Sequence, residues 1–264
     1  MIYQLAVSAN ERSVVIEMDI SPDFVTDQVL KATIEHGHMP EPELVELMAR
    51  VLQPGDLMVD GGANAGLFTL VGAKYVGPTG KVIAVEPGEN NIPKIKGNII
   101  VSNDQHIALV EQPLWSSAKE VEFYLYQDSG HNSVGGSDMP DHQVKIMATT
   151  LDEVCGDLTP KLIKLDIEGS EVEALKGADK LLKRKPPFIV CEMNVTALAE
   201  NKTSPAEMRE LMQEYDYDAF VLYPGGQLPP FVPYNCGLAP FRLNSNILFS
   251  TLNDVGKAWG KVRW

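Results

Sequence analysis

Apolar and polar positions divide the chain into a weakly patterned start and a regular remainder. Residues 13–20 alternate like a peripheral strand, and residues 24–34 carry the spacing of a short helix. From Pro42 the pattern sharpens. Leu44, Val45, Leu47, Met48, Val51 and Leu52 form one helical stripe, which Pro54-Gly55 ends. Strands are then expected over 57–60, 81–86, 107–110, 162–166 and 188–192, with helices over 67–76, 90–101 and 170–182 between them. Ser204-Pro205-Ala206-Glu207 reads as a capping box opening a helix to about residue 214. Residues 219–223 and 247–250 can close the order as two antiparallel strands.

This alternation predicts an α/β fold: a doubly wound, mostly parallel sheet of seven strands whose last strand is antiparallel. Residues 1–40 read as an N-terminal extension or cap. Residues 41–264 read as one domain with an insertion of about 111–150, itself two strands joined by a polar loop.

Composition narrows the functions. A formal net charge of -14 disfavours phosphate backbones and anionic lipid surfaces, so neither nucleic acid nor a membrane is an expected partner. No apolar run is long enough to span a bilayer, and no signal peptide is visible. Cys155, Cys191 and Cys236 suit neither a disulfide framework nor a zinc site, and a cytoplasmic location is the expectation.

Candidate chemistry starts at Asp60-Gly61-Gly62-Ala63-Asn64-Ala65-Gly66, a glycine turn between a strand and a helix at the carboxyl edge of the sheet. A dinucleotide fingerprint fits it poorly. Counting from Gly61, the second glycine position falls on Ala63; counting from Gly62, it falls on Asn64. Glu86-Pro87 ends the next strand, 20 residues past Gly66, where a carboxylate can accept ribose hydroxyls. Acids also stand at the ends of the later strands: Asp166, then Glu168, and Glu192 with Asn194 beyond. Asp166, Glu192 and Asn194 are candidate oxygen ligands for a divalent cation. His131, in a small glycine-bounded loop, is a candidate proton acceptor. The proline-rich aromatic segment 224–244 is a candidate cover for an acceptor pocket.

The run Val59-Asp60-Gly61-Gly62-Ala63-Asn64-Ala65-Gly66-Leu67-Phe68-Thr69-Leu70 resembles the first motif of FkbM-type S-adenosylmethionine-dependent methyltransferases, with Gly61 where that family usually has valine. The resemblance continues through Gly77–Pro87, Thr149–Asp152, Ile163–Glu171 and Leu175–Ala178, and covers about residues 40–195. It implies S-adenosyl-L-methionine as cofactor, held by Asp60, Gly61, Gly62, Ala63, Asn64, Gly66 and Thr69 at the turn, with Glu86 and Pro87 at the ribose. It further implies Asn103 and Asp104 at the adenine, Trp115 and Ser116 closing over adenine or sulfonium, and Asp166 among the cofactor-binding residues. The implied reaction is O-methylation of a small molecule, natural product or sugar, with His131, Asp166 and Glu192 as catalytic candidates. A nicotinamide-dependent oxidoreductase and a non-catalytic binding module are the competing readings.

Overall fold

The computed structural model describes residues 2–20, 25–36, 38–126, 129–135, 140–238 and 244–260. The chain opens with a hairpin, β1 (Ile2–Ala9) and β2 (Arg12–Asp19), then α1 (Val25–Glu35) and α2 (Pro42–Val51). Next come β3 (Leu57–Gly61), α3 (Leu67–Val76), β4 (Lys81–Val85), α4 (Ile92–Ser102) and β5 (Ile107–Val110). The insertion holds β6 (Glu120–Leu125) and β7 (His142–Met147). The scaffold resumes with α5 (Leu151–Cys155), β8 (Leu162–Leu165), α6 (Glu171–Lys176), α7 (Asp179–Lys183) and β9 (Phe188–Asn194). It ends with α8 (Val195–Glu200), α9 (Pro205–Glu214), β10 (Asp218–Val221), β11 (Asn244–Ser250) and α10 (Leu252–Ala258).

Seven strands form one sheet in the order β10-β11-β9-β8-β3-β4-β5, and β11 alone runs antiparallel to its neighbours. The central strands are continuous apolar runs because both faces are covered. Their residues alternate between two cores. Met58, Val82, Leu162, Val190 and Leu248 meet α2 and α3 on one face. Val59, Ile83, Ile163, Ile189 and Ile247 meet residues of α6, α7 and α9 on the other.

The N-terminal hairpin is part of the first core. Leu5, Val7, Ile16, Met18 and Ile20 are buried in the same cluster as α2 and α3. Arg12 fastens it: its Nη1 donates to the carbonyls of Ala49 (2.7 Å) and Leu52 (2.6 Å), which the end of α2 leaves open. The guanidinium also lies 4.6 Å from the centre of the Tyr75 ring.

Elsewhere the sequence pattern and the structure part at identifiable residues. The single helix expected over 170–182 is two, because α6 stops at Gly177. A Cβ there would come within 2.3 Å of the Trp115 carbonyl oxygen, so the chain after β5 occupies that space. α5 rests on a capping box, with Glu153 N donating to Thr150 Oγ1 and Thr150 N to the Glu153 carboxylate. The box expected at Ser204 is half formed. Ser204 Oγ accepts from Glu207 N, while the Glu207 carboxylate pairs with Lys176 instead.

Removing the Arg12 side chain leaves two carbonyls unpaired at the α2 terminus. Arg12→Ala should lower the unfolding free energy by about 2 kcal/mol with an unchanged urea m-value. A loss within experimental error would show that the hairpin is held by its apolar face alone.

Candidate functional site

β3 and β8 are parallel neighbours, and the chain leaves both at the same edge of the sheet. After β3, Gly62 adopts φ 76°; a Cβ there would stand 1.8 Å from the Asp166 carbonyl oxygen. Glycine is therefore required for the turn to lie against the end of β8. Gly61 is crowded as well, since Leu165 and Leu114 side chains fill the volume a valine would use.

A cleft of about 200 Å³ opens above this turn. Its floor is Gly62, Asn64 and Glu86, and one wall is Asp166, Ile167, Glu168 and Ser170 with Glu192. Pro113 and Leu114 close a second side, and Phe123, Asn132 and Val134 of the insertion form the roof. The roof is latched to the loop after β4: Asn132 Nδ2 donates to Asn90 Oδ1 (2.7 Å), and Asn90 Nδ2 donates to the Tyr126 carbonyl (3.1 Å).

Glu86 is 4% exposed. Its Oε2 accepts from Asn64 N at 2.7 Å, and its Oε1 accepts from Gly88 N at 2.8 Å and Asn91 Nδ2 at 3.3 Å. Burial raises its pKa, and the two backbone donors oppose that. One acceptor site on Oε2 stays open. Two further polar atoms of this cleft are buried without a partner, Asn64 Oδ1 and Ser170 Oγ. Asn64 (φ 50°) and Glu168 (φ 50°) both hold left-handed backbone conformations on the cleft wall, as does Glu41 (φ 44°) nearby.

Beneath the cleft, Asp60 is fully buried. Thr69 Oγ1 donates to its Oδ2 (2.6 Å), and Lys164 Nζ lies 3.5 Å from its Oδ1. The same ammonium donates to Asp166 Oδ2 at 3.1 Å. Burial works against the charge on Lys164, but the carboxylates of Asp166, Asp60 and Glu41 outweigh it and raise the pKa above its usual value.

Asp166, Glu168 and Glu192 present carboxylate oxygens within 4.8 Å of one another. Burial, and then the charges of Asp166, Glu168 and Glu41, push Glu192 up to about 10. Glu41, before α2, accepts from Asn246 Nδ2 at 2.9 Å; burial and the Asp166 charge push it up to about 7.

The expected site residues therefore divide. Gly62, Asn64, Glu86, Pro87, Asp166 and Glu192 line one cleft, and Glu168 and Ser170 join them. Asp60 and Thr69 lie under it as a buried pair, with Gly61 also buried and Ala63 packed against Ala84 and Ile95. Gly66 starts α3 at φ 94°. Asn103 and Asp104 are not in this cleft, because α4 carries the chain back to the opposite edge before β5 begins. There Asn103 ends α4, Asp104 pairs with Lys74 (2.8 Å), and both line a separate depression. Trp115 and Ser116 do not line it either: the Trp115 backbone carbonyl meets Gly177 and Ser116 bonds Glu173, while Pro113 and Leu114 take the wall. Asn194 caps α8 through Ala197 N, its Nδ2 lies 3.5 Å from Glu168 Oε2, and Glu168 stands with Asp166 and Glu192 as a third acid. His131 is exposed and lines a neighbouring cleft of about 170 Å³ with Asn194 and Glu168. The segment expected to cover the pocket runs along β10 instead, with Phe231 stacked edge-on against Phe220 (5.8 Å); its residues 239–243 lie outside those described.

The sheet order, with its single antiparallel strand and a cleft at the carboxyl edge beside β3 and β4, defines the class I methyltransferase fold. Residues 60–219 match the family model described as the methyltransferase FkbM domain, and the chain belongs to that family. This removes the nicotinamide oxidoreductase reading. No curated protein matches the chain significantly. Among solved structures it is similar to the methyltransferase FkbM from Methylobacillus flagellatus KT, at 20% identity and TM-score 0.47, over 85% of this chain and 54% of that one. It thus spans about half the length of that relative. It is also similar to a SAM-dependent O-methyltransferase from Thermotoga maritima (14% identity, TM-score 0.45, 80% of this chain, 64% of that one). A third similarity is to Aeropyrum pernix fibrillarin in complex with natively bound S-adenosyl-L-methionine (11% identity, TM-score 0.42, 93% and 82%). No helix among the described residues is long and apolar enough to cross a membrane.

The raised pKa of Glu192 has a thermodynamic sign. Between its ordinary value of 4.5 and about 10, the folded chain keeps a proton that the unfolded chain has released, so stability falls as pH rises through that window. Glu192→Gln should melt higher than wild type, by roughly 2–4 °C per kcal/mol relieved, with a larger gain at pH 9 than at pH 5. Equal gains at both pH values would contradict the shift.

Proposed function

We propose that this protein transfers the methyl group of S-adenosyl-L-methionine to a hydroxyl of a small molecule or sugar. The observation that carries the reading is Glu86, a buried carboxylate at the tip of β4 with one open acceptor site, facing a cleft that also holds the unpartnered Asn64 Oδ1. That set suits a nucleoside with an amino-acid tail. Glu86 takes a ribose hydroxyl, and the Gly62–Asn64 turn admits the ligand against the main chain. The acids of Asp166, Glu168 and Glu192 face the cationic end.

S-adenosylmethionine supplies a methyl group already activated on positive sulfur. The residues of the chain align the acceptor oxygen with it and hold the hydroxyl proton as the bond forms. We assign that proton to the Asp166–Glu192 pair, with Asp166 oriented by the Lys164 ammonium. His131, in the neighbouring cleft beyond Glu168, stands at the acceptor's side of the reading. The spacing of the three acids also suits a hard divalent cation. Activity retained in excess EDTA leaves proton transfer to the carboxylates alone; loss restored by magnesium assigns it to a bound cation.

Calorimetric titration should give S-adenosylmethionine binding in the micromolar range, and Glu86→Ala should weaken it at least about tenfold, ~1.4 kcal/mol. Absence of measurable binding to the intact protein overturns the cofactor assignment. Asp166→Asn should lower kcat by about 10²-fold or more, while cofactor affinity stays within a factor of a few.

A further inference from the structure

A second groove, of about 550 Å³, lies away from the cleft, between the start of α9 and the segment after β10. Val195 of α8 faces it, whereas Thr196, Ala197 and Glu200 line the His131 cleft, so α8 separates the two. Its volume falls within the range of small-molecule sites.

The feature that sets this groove apart is Arg209. It lines the groove yet is 6% exposed. Nη2 donates to the Val232 carbonyl at 2.7 Å, but Nε and Nη1 are buried with no hydrogen-bond partner. No carboxylate among the described residues forms an ion pair with the guanidinium. Asp218, on the adjoining strand β10, accepts instead from the Tyr234 hydroxyl and from Leu252 N. The Tyr234 ring lies 5.3 Å from the guanidinium, a cation–π cover that does not neutralise it. Burial lowers the Arg209 pKa, and the nearby Tyr234, Cys236 and Asp218 groups offset this only in part.

A buried cation normally has a carboxylate or phosphate against its open N–H groups, since an unpaired buried charge is strongly unfavourable. The surroundings favour the same sign. The first turn of α9, with Ser204, Pro205 and Ala206, borders the groove, and this ten-residue helix directs its positive dipole end there. Glu210 is the one acid lining the groove, and it is exposed. The other walls are mostly apolar, including Val195, Pro205, Leu238 and the Tyr234 ring.

We propose that this groove is a binding site for a small amphipathic oxyanion, with its carboxylate or phosphate on Arg209 and its apolar or aromatic body along Val195, Leu238 and Tyr234. Nε and Nη1 of the planar guanidinium are left as open donors, either of which can take an oxygen of such a group in a charge-assisted hydrogen bond. Binding there requires the Tyr234 ring to shift from the guanidinium and stack on the ligand body.

The test is titration of the full chain by NMR or calorimetry with benzoate, and separately with phenyl phosphate and inorganic phosphate. Benzoate or phenyl phosphate should bind at about 1 mM or tighter, and inorganic phosphate more weakly for lack of an apolar body. The better aryl probe identifies the head group. Arg209→Gln should weaken binding at least tenfold. Because a buried arginine can be needed for folding, Ala206→Glu is the second variant. Residue 206 is exposed in the first turn of α9, where an acid is tolerated, and the added charge in the groove should also weaken binding at least tenfold. No binding of either aryl probe by wild type, or undiminished binding by a folded Arg209→Gln or Ala206→Glu, overturns the proposal.

Discussion

The ammonium of Lys164 is the constraint on which the cleft depends. It sits on β8, buried, between Asp60 of β3 and Asp166 just beyond its own strand, with the Phe68 ring of α3 5.3 Å from it. Each acid compensates the cation that the others could not bury alone. An ion pair in such a place is weak evidence of net stability, but breaking it strands a charge and costs about 3–5 kcal/mol. Its consequence here is registry. Two parallel strands and the helix between Gly66 and Gly77 are tied at one point, directly below the turn at Gly62.

That arrangement revises the part Asp60 plays. As a strand-tip acid in a glycine turn, it reads naturally as a contact to ligand. In the fold it points down to Thr69 and Lys164, and the groups exposed to the cleft are the next ones along, Gly62 and Asn64. The charge that faces the cleft is instead Asp166, Glu168 and Glu192. Burial, and then crowding among them, keeps a proton on Glu192 far above the usual carboxylate range.

Much of the scaffold was legible because buried parallel strands are short apolar runs and their helices end at glycine or proline; α3 and β5 fall where the pattern puts them. The site was legible only where one strand tip supplies the residue, as for Glu86, Asp166 and Glu192. What comes from elsewhere in the chain was not. Glu41 reaches the acids from the start of α2, and Asn132 arrives through the insertion, neither carrying a local signal. Asn103 and Asp104 show the converse error, since proximity to a strand in sequence does not say which end of the strand is near. Arg209 lies inside an ordinary amphipathic helix, and nothing in its spacing marks it as short of an anion.

Glu86 also bears on how the cleft meets whatever enters it. Its carboxylate is already fixed by the amides of Asn64 and Gly88 and by the Asn91 side chain. An incoming hydroxyl therefore finds an acceptor whose rotamer and direction are set, and little side-chain entropy is lost on contact. The one long bond, from Asn91 at 3.3 Å, is the contact most readily exchanged for a second hydroxyl. A vicinal diol can thus be received by trading a single weak internal bond, while the backbone of the turn stays where folding left it.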